Sequence, residues 1–271
     1  MTVPYQKELD DSYLLSEAQI DQFKRDGYIR LKRIFPNELL NFFADCVTQK
    51  VEQLNTQTKP LHERNIYEKA FLQVMNIWQK CDTVRALVFS RRLAHIATQL
   101  IGSHGVRLYH DAALFKEPGG GLTPWHADQY YWPISSAVNL VAWIPLQDTP
   151  LAMGPLAFSA GSQHFEAGRQ RNISADNEQA LSHSLKDMHY PLHEAAFEMG
   201  DVSFHTGWTF HRAGANSTDR MRKVMTMIYL DDATRLVEPK HPAAQNDRKM
   251  WLSGIEIGDL IDTPDHPLLY P

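Results

Sequence analysis

Trp125-His126-Ala127-Asp128-Gln129-Tyr130-Tyr131-Trp132 is the stretch on which the reading of this chain turns. Residues i and i+2 of an extended strand point to the same side, so His126 and Asp128 can reach one metal ion together. The pair alone says little, because the chain holds 13 His and a solvated strand end looks the same. Its setting says more. Trp125, Tyr130, Tyr131 and Trp132 crowd the pair with aromatic rings that suit a pocket wall better than a wet strand end. Just upstream, Lys116-Glu117-Pro118-Gly119-Gly120-Gly121 reads as a loop able to form a pocket mouth.

Two histidines and one carboxylate on one face of an ion leave its other positions open, which is the protein ligand set of non-haem iron(II) sites. The third ligand is sought in Gly200-Asp201-Val202-Ser203-Phe204-His205-Thr206-Gly207-Trp208-Thr209-Phe210-His211. Even spacing lets His205 and His211 face one side of a strand. His211 is the better placed, because the chain turns over 212–220 and a ligand beside a turn sits where a substrate can arrive. His205 is then a hydrogen-bonded neighbour. Oxygen activation at such an iron needs two further electrons, which a chelating α-keto acid supplies as it decarboxylates. The far carboxylate of that acid calls for a planar, two-pronged cation, and arginine has that shape where lysine does not. Arg212, Arg220 and Arg222 compete for the part, with Arg222, at the head of the next strand, the first choice.

A chain of 271 residues that is 43% hydrophobic can bury one large core, and a single domain of barrel type fits this length. The net charge of −5 argues against nucleic acid and anionic membranes as partners and leaves a small-molecule substrate. Cys46 and Cys81 are the only cysteines, without a CxxC, which excludes a disulfide framework and a thiolate zinc site. Met1-Thr2-Val3-Pro4-Tyr5-Gln6-Lys7 has neither the charged nor the apolar part of a secretory leader. No run approaches the roughly 18 apolar residues of a membrane span. The expectation is a soluble cytoplasmic protein.

Ser16-Glu17-Ala18-Gln19 is a capping box that opens a helix ending at Gly27, and Tyr28-Ile29-Arg30-Leu31 reads as a short strand. Leu39, Phe42, Phe43, Cys46 and Val47 mark a second helix, and Leu93, Ile96, Ala97, Leu100 and Ile101 a later one that stops at Gly102. Strands are expected at 107–116, 138–146, 156–159, 202–204 and 224–230. Helices first and strands afterwards predict an α+β fold, with helices packed on one sheet of a β-sandwich or jelly roll. The expected layout is one domain over 1–271, with a helical cover at 1–105, a jelly-roll core at 106–235 and a C-terminal extension at 236–271. The polar stretch 165–195 reads as a long irregular insertion and a candidate lid.

Several motifs now fall into one order: Gly27-Tyr28, Lys116-Glu117-Pro118-Gly119, His126-Ala127-Asp128, Trp143, Gly154-Pro155-Leu156, Gly161-Ser162-Gln163-His164, Gly200-Asp201, His211, Asn216-Ser217 and Arg222. This order resembles the phytanoyl-CoA dioxygenase family of Fe(II)/2-oxoglutarate-dependent oxygenases over residues 16 to 230. The resemblance implies a double-stranded β-helix, iron held by His126, Asp128 and His211, and 2-oxoglutarate held by Arg222, with O2 as the other co-substrate. It also implies that Trp143, Thr123 and Gln73 border 2-oxoglutarate. Relatives have Ser where this chain has Ala213, so one hydrogen bond to the co-substrate is missing or comes from elsewhere. Asp128 disfavours halogenation, for which related enzymes give up the carboxylate.

Gln129, Tyr131 and Trp132 follow the metal pair and Trp208 precedes the third ligand, which makes them the expected substrate contacts. Aromatic walls with one amide suit hydroxylation, or another C–H oxidation, of a small and mostly apolar metabolite, with release of succinate and CO2. The scattered basic pairs offer no cluster for a CoA diphosphate. The alternatives are a cupin-like metalloprotein that works without 2-oxoglutarate and a silent binding module of the same fold.

Overall fold

Ser16 and Gln19 exchange their capping bonds as expected: the Ser16 amide donates to the Gln19 side chain at 2.8 Å, and the Gln19 amide to the Ser16 hydroxyl at 3.3 Å. The computed structural model describes residues 3–136 and 138–271; Met1 and Thr2, the head of the stretch read for a leader, lie outside the described residues. Before the long strands come helices α1 (Gln6–Asp10), α2 (Glu17–Asp26), α3 (Asn37–Leu54), α4 (Ile66–Ala70), α5 (Asp82–Val88) and α6 (Arg91–Ile101), interrupted by strands β1 (Tyr28–Leu31) and β2 (Leu72–Met75). Then follow β3 (Val106–Phe115), β4 (Thr123–His126), β5 (Leu140–Pro145), β6 (Leu156–Ser159), α7 (Ala175–Asp187), β7 (Leu192–Glu194), β8 (Val202–Thr206), β9 (His211–Ala213), β10 (Val224–Asp231), α8 (Pro242–Trp251) and β11 (Leu268–Tyr270).

The strands form two antiparallel sheets. The larger runs β1-β8-β5-β10-β3-β11, with β2 added beside β3, and the smaller runs β4-β9-β6-β7. Period-two alternation decides what each face of the larger sheet meets. Leu140, Ala142 and Ile144 of β5 and Val202 and Phe204 of β8 point to the helices, where they pack with Phe43, Val47, Leu87, Leu93 and Leu100. Their neighbours Val141, Trp143, Ser203 and His205 point the other way, toward the smaller sheet. There Tyr28, Trp143, Phe197 and Val224 meet Leu156, Phe158 and Ala213. Two facing sheets with helices on the outer side of one make the α+β jelly roll expected from sequence.

One irregularity matters for the site. In the β3–β10 ladder Ile228 faces His110 and Tyr229 faces Leu108, so Tyr109 is the extra residue of a β-bulge. A bulge lets consecutive side chains leave the same face. Tyr109 and His110 therefore both turn away from the helical core, although strict alternation would separate them.

Two glycines are fixed by close approach. Gly27 ends α2 at φ 74°, and a Cβ there would lie 2.5 Å from the Thr209 hydroxyl, which itself donates to the Gly27 carbonyl at 2.6 Å. Gly154, at φ 68°, would set a Cβ 2.0 Å from the Gly214 carbonyl.

The stretch 165–195 is more regular than expected. It carries α7, whose Leu181 and Leu185 pack on Trp125, Ala127 and Phe210, and it carries β7, the edge strand of the smaller sheet. Polar composition hid a helix that rests on only two buried leucines. The C-terminal extension also returns to the fold: Leu236, Leu252, Ile255 and Ile261 pack with Tyr109 and Trp132, and β11 pairs β3.

Candidate active site

β4 and β9 lie side by side with His126 opposite His211. Strand β4 ends at His126, and Asp128 opens a 3-10 turn, Asp128–Tyr131, yet the extended Ala127 between them keeps both ligands on one side. The His126 Nε2 lies 3.4 Å from Asp128 Oδ1, the His211 Nε2 3.7 Å from Asp128 Oδ2, and the three ligand atoms fall within 4.8 Å of one another. Each histidine has its tautomer set from behind. The Nδ1 of His126 donates to the Pro124 carbonyl at 2.7 Å and that of His211 to the Thr209 carbonyl at 3.0 Å, which frees both Nε2 lone pairs for a metal. Burial, with His126 beside it, holds His211 well below its usual range, so its ring is neutral. At Asp128 burial is outweighed by the polar ring of histidines around it, with His205 hydrogen-bonded to the carboxylate, and its carboxyl is held well below the usual carboxylate range. Neutral imidazoles and an ionised carboxylate are the forms a divalent ion requires.

His205 is close but differently placed. It stands on β8 of the larger sheet, across from His211 on the smaller one, so the two do not share a strand face as their even spacing suggested. The chain crosses between sheets at 207–210, and the turn beside the ligand precedes His211 rather than following it. The His205 Nε2 donates to Asp128 Oδ2 at 3.3 Å, the neighbour's role expected for it.

Arg222 is 1% exposed. Its Nη1 donates to the Gly154 carbonyl at 2.6 Å, its Nε has no partner, and the guanidinium lies 5.7 Å from the Trp143 ring centre. Burial pushes it down to about 10. Next to it, exchanging backbone hydrogen bonds, is Lys116, whose ammonium is fully buried and donates to the carbonyls of Gly121 at 2.6 Å and Gly214 at 2.7 Å and to the Thr123 hydroxyl at 3.2 Å. Burial and the nearby Arg222 push Lys116 down to about 6. Among the described residues, neither cation has a carboxylate partner. A buried cation without an acid, as Arg222 is, is costly unless an anion joins it, and a forked donor with an unused N–H fits a carboxylate. The site thus suits the distal carboxylate of 2-oxoglutarate, with the chelating end left to a metal on His126, Asp128 and His211.

The metal ligands, His205 and Arg222 open into one cavity of about 720 Å³, while Lys116 lies behind its wall. Thr123, Trp143, Gln73 and Arg222, expected around the co-substrate, line it, and so do Tyr131 and Trp132, expected at the substrate. Gln73 accepts from the Tyr67 hydroxyl at 2.7 Å and sits on β2. Gln129 and Trp208 lie elsewhere. In a 3-10 turn residues i and i+3 eclipse, so Tyr131 shares the side of Asp128 while Gln129 turns back to Asn139, whose amide it accepts. Trp208, in the crossing between sheets, stacks under Arg169 at 4.7 Å. Sequence reasoning missed His110, Tyr130, Asn246, Asp247 and Trp251, which also line the cavity. Tyr130 stood in the quoted aromatic run; the others had no local signal. Among the described residues of 165–195, Asn172 and Ile173 alone border the cavity.

A jelly roll whose inner cavity is lined by two histidines and one aspartate, with a buried arginine nearby, defines an Fe(II)- and 2-oxoglutarate-dependent dioxygenase. A family model for Phytanoyl-CoA dioxygenase (PhyH) matches residues 23–224, and the chain belongs to that family. It is 26% identical over 255 residues to an ectoine dioxygenase of Bordetella parapertussis, covering 84% of this chain and 79% of that one. Among solved structures, the non-heme α-ketoglutarate-dependent carbocyclase SnoK from nogalamycin biosynthesis superposes with a TM-score of 0.77 at 24% identity, covering 94% of this chain and 96% of that one. The epimerase SnoN, in complex with Fe3+, α-ketoglutarate and nogalamycin RO, does so with a TM-score of 0.76 at 22% identity, covering 93% and 98%. These likenesses carry the fold. No helix of the described residues is long and apolar enough to cross a membrane.

Proposed function

We propose that the enzyme hydroxylates, or otherwise oxidises at a C–H bond, a small and mostly apolar organic metabolite. The observation that carries this reading is the shared cavity: metal ligands and Arg222 open into the same space, whose remaining wall is largely aromatic and aliphatic, with Phe71, Tyr130, Tyr131, Trp132, Ile228 and Trp251 in it. Iron with 2-oxoglutarate and O2, when bound, supplies the oxidation, with succinate and CO2 as by-products.

The chain itself holds and orients. His126, Asp128 and His211 hold the ion on one face. Arg222 fixes the far end of the co-substrate against Trp143, and the apolar wall excludes water from the reacting bond. The ectoine dioxygenase relative supports a small-molecule substrate by its name, and the carbocyclase and epimerase of the same fold make ring closure and epimerisation the rival outcomes. The reading assigns residues 1–271 to one oxygenase domain. It also assigns the protein to the reducing cytoplasm, where Cys46 and Cys81 stay thiols and iron stays ferrous.

Anaerobic calorimetry with Fe(II) tests it. Binding of 2-oxoglutarate, together with iron-dependent succinate release that rises with a substrate, is the expected result. No 2-oxoglutarate binding, or an Arg222→Ala variant with full turnover, would sink it in favour of the cupin-like alternative.

A further inference from the structure

Away from the metal ligands and Arg222, the cavity wall holds one more charged group. Asp247, on α8, is partly buried and lines the cavity, and apart from Asp128 it is the only carboxyl among the lining residues. Arg222 is the only lysine or arginine there, and it is engaged with Gly154. Among the described residues, the one group bound to the Asp247 carboxyl is the Tyr109 hydroxyl, which donates to it. Tyr109 can do so because the β3 bulge turns it to this side, where its ring also packs against Trp132, at 5.9 Å between centroids. The adjacent His110 has no partner on Nδ1 and lies 5.7 Å from the Trp251 ring.

A carboxyl withdrawn from water and left without a cation is unstable as an anion. Burial accordingly pushes Asp247 up to about 7, against the pull of the Tyr109 hydrogen bond. Burial also pushes His110 down to about 3, so its ring is neutral and repels no cation. Aromatic faces of Trp132, Trp251, Tyr130 and Tyr131 line the same space and attract cations in their own right. The arrangement mirrors the Arg222 end of the cavity, where an unpaired cation awaits an acid.

We infer that Asp247, set by Tyr109 and walled by aromatic rings, is the substrate-recognition group, and that the substrate is a small apolar molecule bearing a protonated amine or comparable organic cation. This inference rests on the oxygenase reading and names the substrate class for its cavity. The cationic end would sit at Asp247, leaving the apolar body to extend over the aromatic wall toward the metal ligands.

The test is anaerobic calorimetry on the full chain loaded with Fe(II) and 2-oxoglutarate. Benzylamine, kept protonated at mildly alkaline pH, is compared with the neutral benzyl alcohol. The expected result is a preference for the amine of about tenfold or more in the wild type, roughly the value of one paired charge. Asp247→Asn should bring the two within about twofold while 2-oxoglutarate affinity stays unchanged, and Asp247→Glu should keep the preference. Equal binding of the two probes by the wild type overturns the inference whatever the variants do, and so does an Asp247→Asn protein that binds 2-oxoglutarate normally and still prefers the amine. Absence of 2-oxoglutarate binding in the same cell would instead strike the oxygenase reading, so the two failures are told apart.

Discussion

The cavity is built in two ways. Its metal and co-substrate half comes from paired strands: β4 and β9 set His126 beside His211, β5 supplies Trp143, and Arg222 stands just before β10 in a bridge to Lys116. Its other half adds to strand residues such as His110 and Ile228 the elements outside the ladders: α4, the turn after Asp128, and α8 with Asp247 and Trp251. Sheet register fixes a side chain through hydrogen bonds on both flanks, and a slip of one residue would invert every face. Helices and turns packed only by their apolar sides can shift or change sequence without disturbing that register. The first half is therefore suited to an unchanging co-substrate and the second to a particular substrate.

The sharpest way to break this division is at the ligands. Asp128→Ala removes the only carboxylate of the metal set and should lower iron affinity by more than the roughly 10–100-fold that loss of an outer hydrogen-bonding partner causes. Anaerobic metal titration reads this directly. A loss below tenfold would mean that His205 or another group replaces it.

Arg222→Met comes next. Loss of a buried, charge-assisted contact costs about 2 kcal/mol or more, so the Kd for 2-oxoglutarate should rise by roughly 30-fold at least. The same change should not lower the thermal stability of the protein without co-substrate, because it removes a buried cation that has no acid partner. At 100 times the wild-type Kd, 2-oxoglutarate should then stabilise the wild type by about 2.7 kcal/mol and the variant by about 0.9 kcal/mol or less. A marked fall in the stability of the variant alone would show that Arg222 is a structural residue.

Lys116 gives this half a pH signature. Its ammonium releases its proton near 6 when folded, against 10.5 for the ordinary side chain, so between those values the unfolded chain carries more protons. Stability therefore rises with pH across that window, by up to about 1.4 kcal/mol per unit from this group. Asp111 and Asp247, pushed up to about 7 by burial, act with the opposite sign below that value. The difference between wild type and Lys116→Met isolates the lysine, and identical slopes for the two would remove it from the account.

The other half should respond differently. Trp251→Ala is expected to leave iron and 2-oxoglutarate affinities within about twofold, and to cost less stability than the roughly 3–5 kcal/mol of a fully buried aromatic, since Trp251 is only partly buried. If calorimetry showed co-substrate binding lost as well, the two halves would be one mechanical unit.

The same division explains what could be read from sequence. Strand periodicity and ordered motifs located β1 and β6 residue for residue, β5 within the expected 138–146, and the three side chains His126, Asp128 and His211 that the fold brings together. Such signals are local, and the ladder amplifies them. Asp247 and Trp251 lie more than a hundred residues from Asp128, on a helix of ordinary polar composition, and nothing in that segment announces a cavity. The bulge at Tyr109 is set by competition between partners on either side of β3, which no single segment encodes. Gln129 was expected at the substrate only because it follows the metal pair, and adjacency in sequence says nothing about direction inside a 3-10 turn, where its side chain points to Asn139.

The smallest expected effect tests how finely the strand half is tuned. Thr123 sits at the head of β4, opposite Ala213, and its hydroxyl is one of three acceptors for the Lys116 ammonium. Thr123→Val keeps the shape and removes only the oxygen. Carbonyls of Gly121 and Gly214 still hold the ammonium, so the loss is one hydrogen bond, worth about 0.5–1.5 kcal/mol. That amount should appear in the unfolding free energy. Because Thr123 lines the cavity opposite Ala213, whose methyl offers no hydrogen bond, its hydroxyl is the one these two facing positions can offer to the co-substrate, and the Kd for 2-oxoglutarate should rise by about 2–10-fold. Stability lost with co-substrate affinity intact would assign the hydroxyl to Lys116 alone; Ala213→Ser in the Thr123→Val background should restore affinity only if the two positions serve the same carboxylate.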